Sequence, residues 1–396
     1  MVSSPISKRV KRHVVGPVHT FFAATAPHLE TLCFNELKSL SIPPDSIHMT
    51  TGGVDFKGRL QDCYAANLLL RTPNRILMRI AEFKATNFRQ LEKKLSHIPW
   101  ELFIHPFIKR SFTIKTRHSR LYHKAAIGES AEKCIALHMN HTLNGKSDTL
   151  PATGNQQVFL RAVEDRFTVS IDTSGELLFK RGLKQHTGKA PIRETLAAAI
   201  LAYAGYTGKE PLVDPMCGTG TFSLEAAMQV KHIPPGWYRE FTFMTWPAFK
   251  KRQWDYIKKA SAGQMVGPEK KLVFASDREL SMCGNLEKIA RQFELSDTIQ
   301  VMHKDFFEWK PVDITRQKGL VVLNPPFGVR VGAGQIPAGY YDEILQKLKK
   351  DYQGWRIAIL VPSKQYLKEV HKSLKIFPIY HGGLNLSLLV GKTASL

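Results

Sequence analysis

"PLVDPMCGTGTFSLEAAM", residues 211–228, changes character twice. Leu212 and Val213 make a short apolar run that stops at Asp214. Gly218 and Gly220 follow, and they allow a tight turn and close backbone approach. From about Thr221 the apolar residues fall at helical spacing. The stretch reads as strand, glycine turn, helix. In an open parallel sheet such a turn lies at the carboxyl end of its strand, where ligands bind, and the helix N-terminus favours an anion. No Lys-Ser/Thr pair follows the glycines, so this is no phosphate loop, and the spaced dinucleotide fingerprint is missing. A carboxylate is the better guess for the anion.

The surrounding sequence keeps the same rhythm. "LVFASD" (272–277), "IQVMHKD" (299–305), "LVVLN" (320–324) and "RIAILV" (356–361) are short apolar runs separated by helical segments. That alternation predicts a parallel sheet with crossover helices. "HIPPGWYREFTFMTWPAF" (232–249) reads as a loop inserted between the first two strands. The strand ends carry the chemistry. Asp277 ends the second strand, where an acid accepts hydrogen bonds from a ribose diol. Asp305 ends the third; it suits an adenine amine, with Phe306 as the aromatic neighbour against the ring. The fourth ends in Asn324, Pro325, Pro326 and Phe327, where the prolines stop the strand and stiffen a polar-aromatic corner. Taken singly, these residues are helix caps, core aromatics or turns. In strand order they form a much more specific set.

The first half has a different texture. "HTFFAATAPHLETLCFNELKSLSI" predicts a strand and an amphipathic helix with Leu29, Leu32, Cys33, Leu37 and Leu40 on one stripe. "GGVDFKGRL" is a turn and strand; "LQDCYAANLLLRTPNRILMRIAEFKA" is a helix to about Arg71, then a strand. A second α+β unit follows at about 75–172. In it Phe112 and Ile114 alternate with Ser111, Thr113, Lys115 and Arg117, a half-buried strand with a basic outer face. A helix with Ile127, Ala131, Cys134 and Ile135 on its stripe comes next, then a strand pair with a tight turn near Glu164–Arg166.

The formal net charge of the 396 residues is +22, and it is clustered. Residues 1–29 contain no acid, and "IKRSFTIKTRHSRLYHK" (108–124) holds six Lys/Arg and no acid. Such clustering favours a polyanionic partner, nucleic acid above all. Lys109, Arg110, Lys115, Arg117, Arg120 and Lys124 are the candidates for RNA phosphate contacts. The five cysteines are scattered, with no CxxC pair, which argues for a reducing, cytoplasmic compartment and against a metal site or disulfide framework. No apolar stretch is long enough to span a membrane.

The strand-end set, in this order, resembles the class I S-adenosylmethionine-dependent methyltransferases, and "NPPF" resembles the signature of those that methylate exocyclic amines of nucleobases. "KAPIRETLAAAILAYAGYTGKEPLVDPMCGTGTFSLEAAM" and "PPGWYREFTFMTWPAF" are similar to the bacterial THUMP-containing RNA methylases, a group that includes 23S rRNA and tRNA guanine-N2 methyltransferases. "FFAATAPHLETLCFNELKSL" and "SRLYHKAAI" extend the likeness to that family's N-terminal modules, from about residue 20 to the end. The resemblance implies a basic extension (1–19), a ferredoxin-like α+β module (20–74), a THUMP module (75–172) and a Rossmann-like α/β methyltransferase domain with a mostly parallel seven-stranded sheet (173–396).

It also implies roles. Asp214, Pro215, Cys217, Gly218 and Gly220 hold the methionine part of S-adenosylmethionine. Asp277 binds its ribose, and Asp305 with Phe306 its adenine. Thr195 lines the same pocket. Asn324–Phe327 receives the target base, with Asn324 also touching the cofactor. The family often has an acid where Val329 stands, so any bond that acid makes is in doubt here, while Arg330 is kept. The expected reaction is formation of N2-methylguanosine in 23S rRNA by a monomer. A tRNA substrate, adenine N6 as target, and an RNA-binding assembly factor with an idle methyltransferase fold stay open as alternatives.

Overall fold

Phe21 and Ala23 alternate with Phe22 and Ala24 along β1 (His19–Ala24), and only the first pair is fully buried. The same alternation runs the length of β6 (Asn155–Val163), and the remaining strands are β2 (Ile47–Thr50), β3 (Gly53–Gly58), β4 (Arg75–Lys84), β5 (Lys109–Arg117) and β7 (Arg166–Asp172). A computed structural model gives the architecture and describes residues 5–40, 42–143, 154–183, 192–326, 339–362 and 374–395. The seven strands form one sheet in the order β2-β3-β1-β4-β7-β6-β5, antiparallel except for β5 beside β6. Helices α1 (Pro5–Val10), α2 (Glu30–Lys38), α3 (Leu60–Leu69), α4 (Phe88–Ser96) and α5 (Lys124–Leu143) accompany it. Their buried residues, such as Tyr64, Leu91 and Ile127, join Phe21 and Phe56 in the core.

The two N-terminal modules expected from the sequence share this sheet. β4 pairs with β1 on one side and β7 on the other. The hairpin turn between β6 and β7 has positive φ at Glu164 and Asp165, a mirror-image turn usually built from Asn-Gly. Bonds from outside the hairpin hold it: Glu164 N–H donates to the Arg117 carbonyl at 3.1 Å, and Asp165 accepts from the Arg120 N–H at 2.7 Å.

Continuous apolar runs build the second sheet, from β8 (Leu212–Asp214), β9 (Val273–Asp277), β10 (Ile299–His303), β11 (Leu320–Leu323), β12 (Arg356–Val361), β13 (Lys375–His381) and β14 (Leu384–Lys392). Every residue of β11 is buried, because core lies on both faces. Leu320 and Val322 pack into one layer with α6 (Glu194–Tyr203), α7 (Thr221–Val230) and α9 (Leu280–Gln292). Val321 and Leu323 pack into the other with α10 (Tyr340–Asp351). The order is β10-β9-β8-β11-β12-β14-β13, parallel through β12 and antiparallel beyond it. The chain steps outward from β8 to β9 and β10, then returns to lay β11 on the other flank of β8.

The chain divides into two compact units: Met1–Thr25, Cys33–Leu178 and Arg239–Lys259 make the first; Ala26–Leu32, Phe179–Tyr238 and Ala260–Leu396 make the second. The inserted segment is therefore more than a loop of the parallel sheet, as its sequence was read. It leads into α8 (Lys251–Ala262), and Arg239–Lys259 belongs to the first unit. The reason is aromatic and polar anchoring. Phe243 stacks on Tyr64 at 4.5 Å, and the Arg239 guanidinium donates to the Leu177 and Glu176 carbonyls at 2.9 and 2.6 Å. Trp246 Nε1–H donates to Gln156 Oε1 at 2.8 Å, with both side chains buried. Among the described residues no helix is long and apolar enough to cross a membrane.

Trp246→Phe leaves the Gln156 oxygen buried without its donor. The expected cost is about 1–3 kcal/mol, read as a fall in the thermal midpoint. An unchanged midpoint would show that this anchor does not hold the segment.

Candidate active site

The side-by-side pairing of β8 and β11, whose connections leave in opposite directions, opens a crevice at their carboxyl ends. The glycine loop forms one lip. Asp214 is buried, and its Oδ2 accepts from the Ser223 hydroxyl at 2.7 Å, tying the loop to the first turn of α7. Cys217 is buried too; its N–H donates to the Ser276 carbonyl at 2.9 Å, and burial pushes its thiol well above the ordinary range. These two residues and Pro215 shape the loop from behind. Gly218 (φ +51°) and Gly220 (φ +73°) take the left-handed conformation. A Cβ at Gly220 would strike Leu286, at 2.4 Å, whereas one at Gly218 would meet nothing within 4 Å. The loop thus seats α7 closely on α9 and leaves an open cradle at Gly218.

Asp277 closes the loop from β9. Its Oδ2 accepts from the Gly218 N–H at 2.8 Å, and its Oδ1 from the Glu279 N–H at 3.0 Å. Asp305, beyond β10, is half-buried and accepts from the Phe307 N–H at 2.8 Å. The carboxylates are held in place by backbone donors and stay partly exposed at the strand ends. The expectation for Phe306 is corrected: it is 2% exposed, locked among Phe307, Tyr352 and the rest of the core, so it has no face to offer a ligand. The turn capped by Asp305 brings out Phe307 instead, 39% exposed. Thr195 is buried within α6.

Asn324, half-buried, and Pro325, buried, follow β11. Phe327, Val329 and Arg330 lie outside the described residues. Two tyrosines that sequence reasoning missed stand at the start of α10. Tyr341 is 2% exposed, and its hydroxyl donates to the Pro326 carbonyl at 3.2 Å, pinning the corner from below. The Tyr340 ring stands 6.3 Å from Phe307, with its hydroxyl 3.8 Å from Met216 Sδ. Burial pushes the Tyr340 phenol up, and among its weaker influences are Arg278, Asp305 and Glu343. The only signal in the sequence was the pair itself, "GYYDE", opening a helix.

The basic candidates divide by strand face. Lys115 and Arg117 are exposed on β5, as are Lys109 at its start and Lys124 at the head of α5. Arg120 is exposed, 3.8 Å from Asp165. Arg110 is a correction: its guanidinium lies against Glu132 of α5 with Nη2 at 2.7 Å and Nε at 3.0 Å, so a carboxylate already occupies the fork.

Comparison with known proteins places this geometry. Residues 181–382 match the family described as UPF0020, RMKL-like methyltransferase domain, and residues 20–77 match the RlmL ferredoxin-like domain. The chain is 30% identical over 362 residues to "Putative RNA methyltransferase YpsC" of Bacillus subtilis, covering 89% of this chain and 92% of that one. It is 29% identical over 376 residues to ribosomal RNA large subunit methyltransferase K/L of Psychromonas ingrahamii, covering 90% of this chain and 48% of the relative; it spans about half the length of that protein. The crystal structure of "SMU.472, a putative methyltransferase complexed with SAH" superposes with a TM-score of 0.81 at 26% identity, over 95% of this chain and 98% of the other.

The fold and the crevice are those of an S-adenosylmethionine-dependent methyltransferase. The chain belongs to the UPF0020 family of RMKL-like methyltransferases. The residues fit the cofactor: the space at Gly218 is open, and the half-buried carboxylates of Asp277 and Asp305 would accept from its hydroxyl and amine donors. When bound, S-adenosylmethionine supplies a methyl group on a positively charged sulfur.

Tyr341→Phe frees the Pro326 carbonyl without altering the loop that receives the cofactor. The turnover number for methyl transfer should fall about fivefold to tenfold, the kinetic equivalent of one hydrogen bond, with cofactor affinity unchanged. Unchanged turnover would show that the corner is rigid without this bond. Cys217 should resist alkylation in the native protein at pH 8, since its thiol stays protonated there. Rapid labelling of Cys217, read by peptide mass, would contradict the closed loop.

Proposed function

We propose that this protein methylates the exocyclic N2 of a guanine in large-subunit ribosomal RNA, in the cytoplasm. The observation that carries the reading is the rigid acceptor corner Asn324-Pro325-Pro326 set beside the glycine loop at the reversal of strand order. Among the described residues the half-buried Asn324 side chain makes no hydrogen bond. The name of the K/L relatives supports ribosomal RNA as substrate.

An exocyclic amine is a poor nucleophile because its lone pair is delocalised into the ring. The Asn324 oxygen and the Pro325 carbonyl accept its two hydrogens. That draws the nitrogen toward tetrahedral geometry and aims the lone pair at the methyl group. The contribution is positioning together with electrostatic stabilisation of the charge that develops on nitrogen. No strong base has to act first, since the N–H becomes acidic as the nitrogen gains charge. Phe327 is the proposed stacking face for the base. Phe307 and Tyr340 are proposed to take over the role expected of Phe306 beside the cofactor's adenine. Residues 75–172 are read as the THUMP module, and Lys109, Lys115, Arg117, Arg120 and Lys124 as its contacts to RNA phosphates.

Labelled S-adenosylmethionine, offered with unmodified 23S rRNA and separately with tRNA, followed by nucleoside analysis, tests the assignment. N2-methylguanosine in the rRNA alone is the expected product. Label in tRNA alone keeps the chemistry and overturns the substrate, and N6-methyladenosine overturns the base. Asn324→Ala should slow transfer by about a hundredfold or more with near-normal cofactor binding by calorimetry; full activity in that variant would refute the mechanism.

A further inference from the structure

The residues of the first sheet that alternate with its core line one face. Strand register sets Thr20, Arg79, Ser170, Phe159 and Thr113 in a row across five strands. The next row runs through Glu82, Thr168, Arg161 and Lys115. On this face lies a cavity of about 590 Å³ whose lining includes Phe22, Leu77 and Phe159 together with Arg75, Lys115 and Arg161. A second cavity of about 490 Å³ shares Arg79, Arg161 and Thr168 with it and adds Lys84 and Arg166 along with Glu82 and Glu164, so the two form one groove. Each is within the usual size range of ligand sites, about 300–1,000 Å³.

The arginines of the groove are of two kinds. The Arg79 guanidinium sits 5.4 Å over the Phe22 ring and is tied to Asp55 at 2.5 Å. Arg75 sits 5.6 Å over the Phe159 ring, paired with Asp172 and donating to the Gly175 carbonyl at 2.8 Å. Both are flat cations fixed on aromatic rings, a surface on which nucleobases stack. Arg161 and Lys115 are neighbours across the β5–β6 pair, both exposed, and neither has an ion-pair partner among the described residues. Arg161 acts at a distance on the Asp55 carboxyl in the same lining, and both side chains remain exposed to a phosphate backbone that follows the groove.

We propose that this groove binds an unpaired stretch of RNA, with bases stacked on the Arg79–Phe22 and Arg75–Phe159 layers and phosphates at Lys115 and Arg161. A duplex keeps its bases stacked inside and presents phosphates and 2′-hydroxyls on a convex surface, which leaves the rings of the groove without a partner. A single strand offers both base faces and backbone. The inference rests on the reading of RNA as substrate and adds the form of RNA and its place on the sheet.

The test is fluorescence anisotropy of the full chain with a labelled ten-nucleotide single-stranded RNA of mixed sequence, and with the same strand annealed to its complement, across a salt series. The single strand should bind about tenfold tighter than the duplex. The Lys115→Ala/Arg161→Ala double variant should lose about tenfold in affinity, with its salt slope shallower by about 1.4, from two phosphate contacts on a single strand. Phe159→Leu should weaken binding about fivefold or more at an unchanged salt slope, since it removes stacking alone. A wild-type thermal midpoint, read by circular dichroism, establishes that each variant is folded. Wild-type affinity in the double variant, or a duplex that binds as well as the strand, overturns the proposal. The RNA-substrate reading fails separately, if the wild-type protein transfers label to no RNA.

Discussion

Strand order in the second sheet governs where the glycine loop and the proline corner meet. A parallel strand must be followed by a crossover, and a crossover covers the strand ends it passes over. Only where two neighbouring strands send their connections in opposite directions do the ends stay open. That happens between β8 and β11. The glycine loop leaves one of these strands and the proline corner leaves the other, so the proposed cofactor loop and the proposed base-positioning corner lie at the same end of the sheet without needing contact in sequence. The Asp277 carboxylate then sets the loop by accepting from Gly218, and Tyr341 sets the corner by donating to Pro326.

Much of this was legible in the residues because strand ends in a parallel sheet are marked. Apolar runs stop at polar residues, and each stopping residue points to the same edge. Asp277, Asp305 and Asn324 could be placed together on that basis before any coordinates. Periodicity does not report which way the chain turns after the strand ends. Phe306 and Phe307 are adjacent aromatics, and the turn capped by Asp305 decides that the first is core and the second surface. Tyr340 and Tyr341 were invisible for a related reason: they come from a helix whose approach to the mouth depends on packing against β11 and β12, a contact between distant parts of the sequence.

The first unit was harder to read. Its strands alternate well enough to be found, and β5 with its basic face was found. Pairing between modules is a tertiary fact, however, and nothing local announces that β4 has a partner on each side. The same holds for Arg239–Lys259. Its aromatics read as a loop rich in prolines, and their partners Tyr64 and Gln156 lie far away in sequence. Arg110 shows the limit of charge counting. A cluster of basic residues on a strand is split by the pleat into two faces, and the side turned to α5 is neutralised by Glu132.

The place of β4 has a consequence for folding and for evolution. A strand bonded along both edges cannot slide against one neighbour without tearing the other, so its register is locked twice. The halves of the first unit are therefore joined through one continuous ladder, and neither is a cassette that exchanges freely. An insertion that lengthened β4 by one residue would turn its side chains over against both neighbours at once. The irregularity between Arg79 and Ala81 is one such extra residue on the β7 side, and it lies just past Arg79, where the pairing with β1 ends.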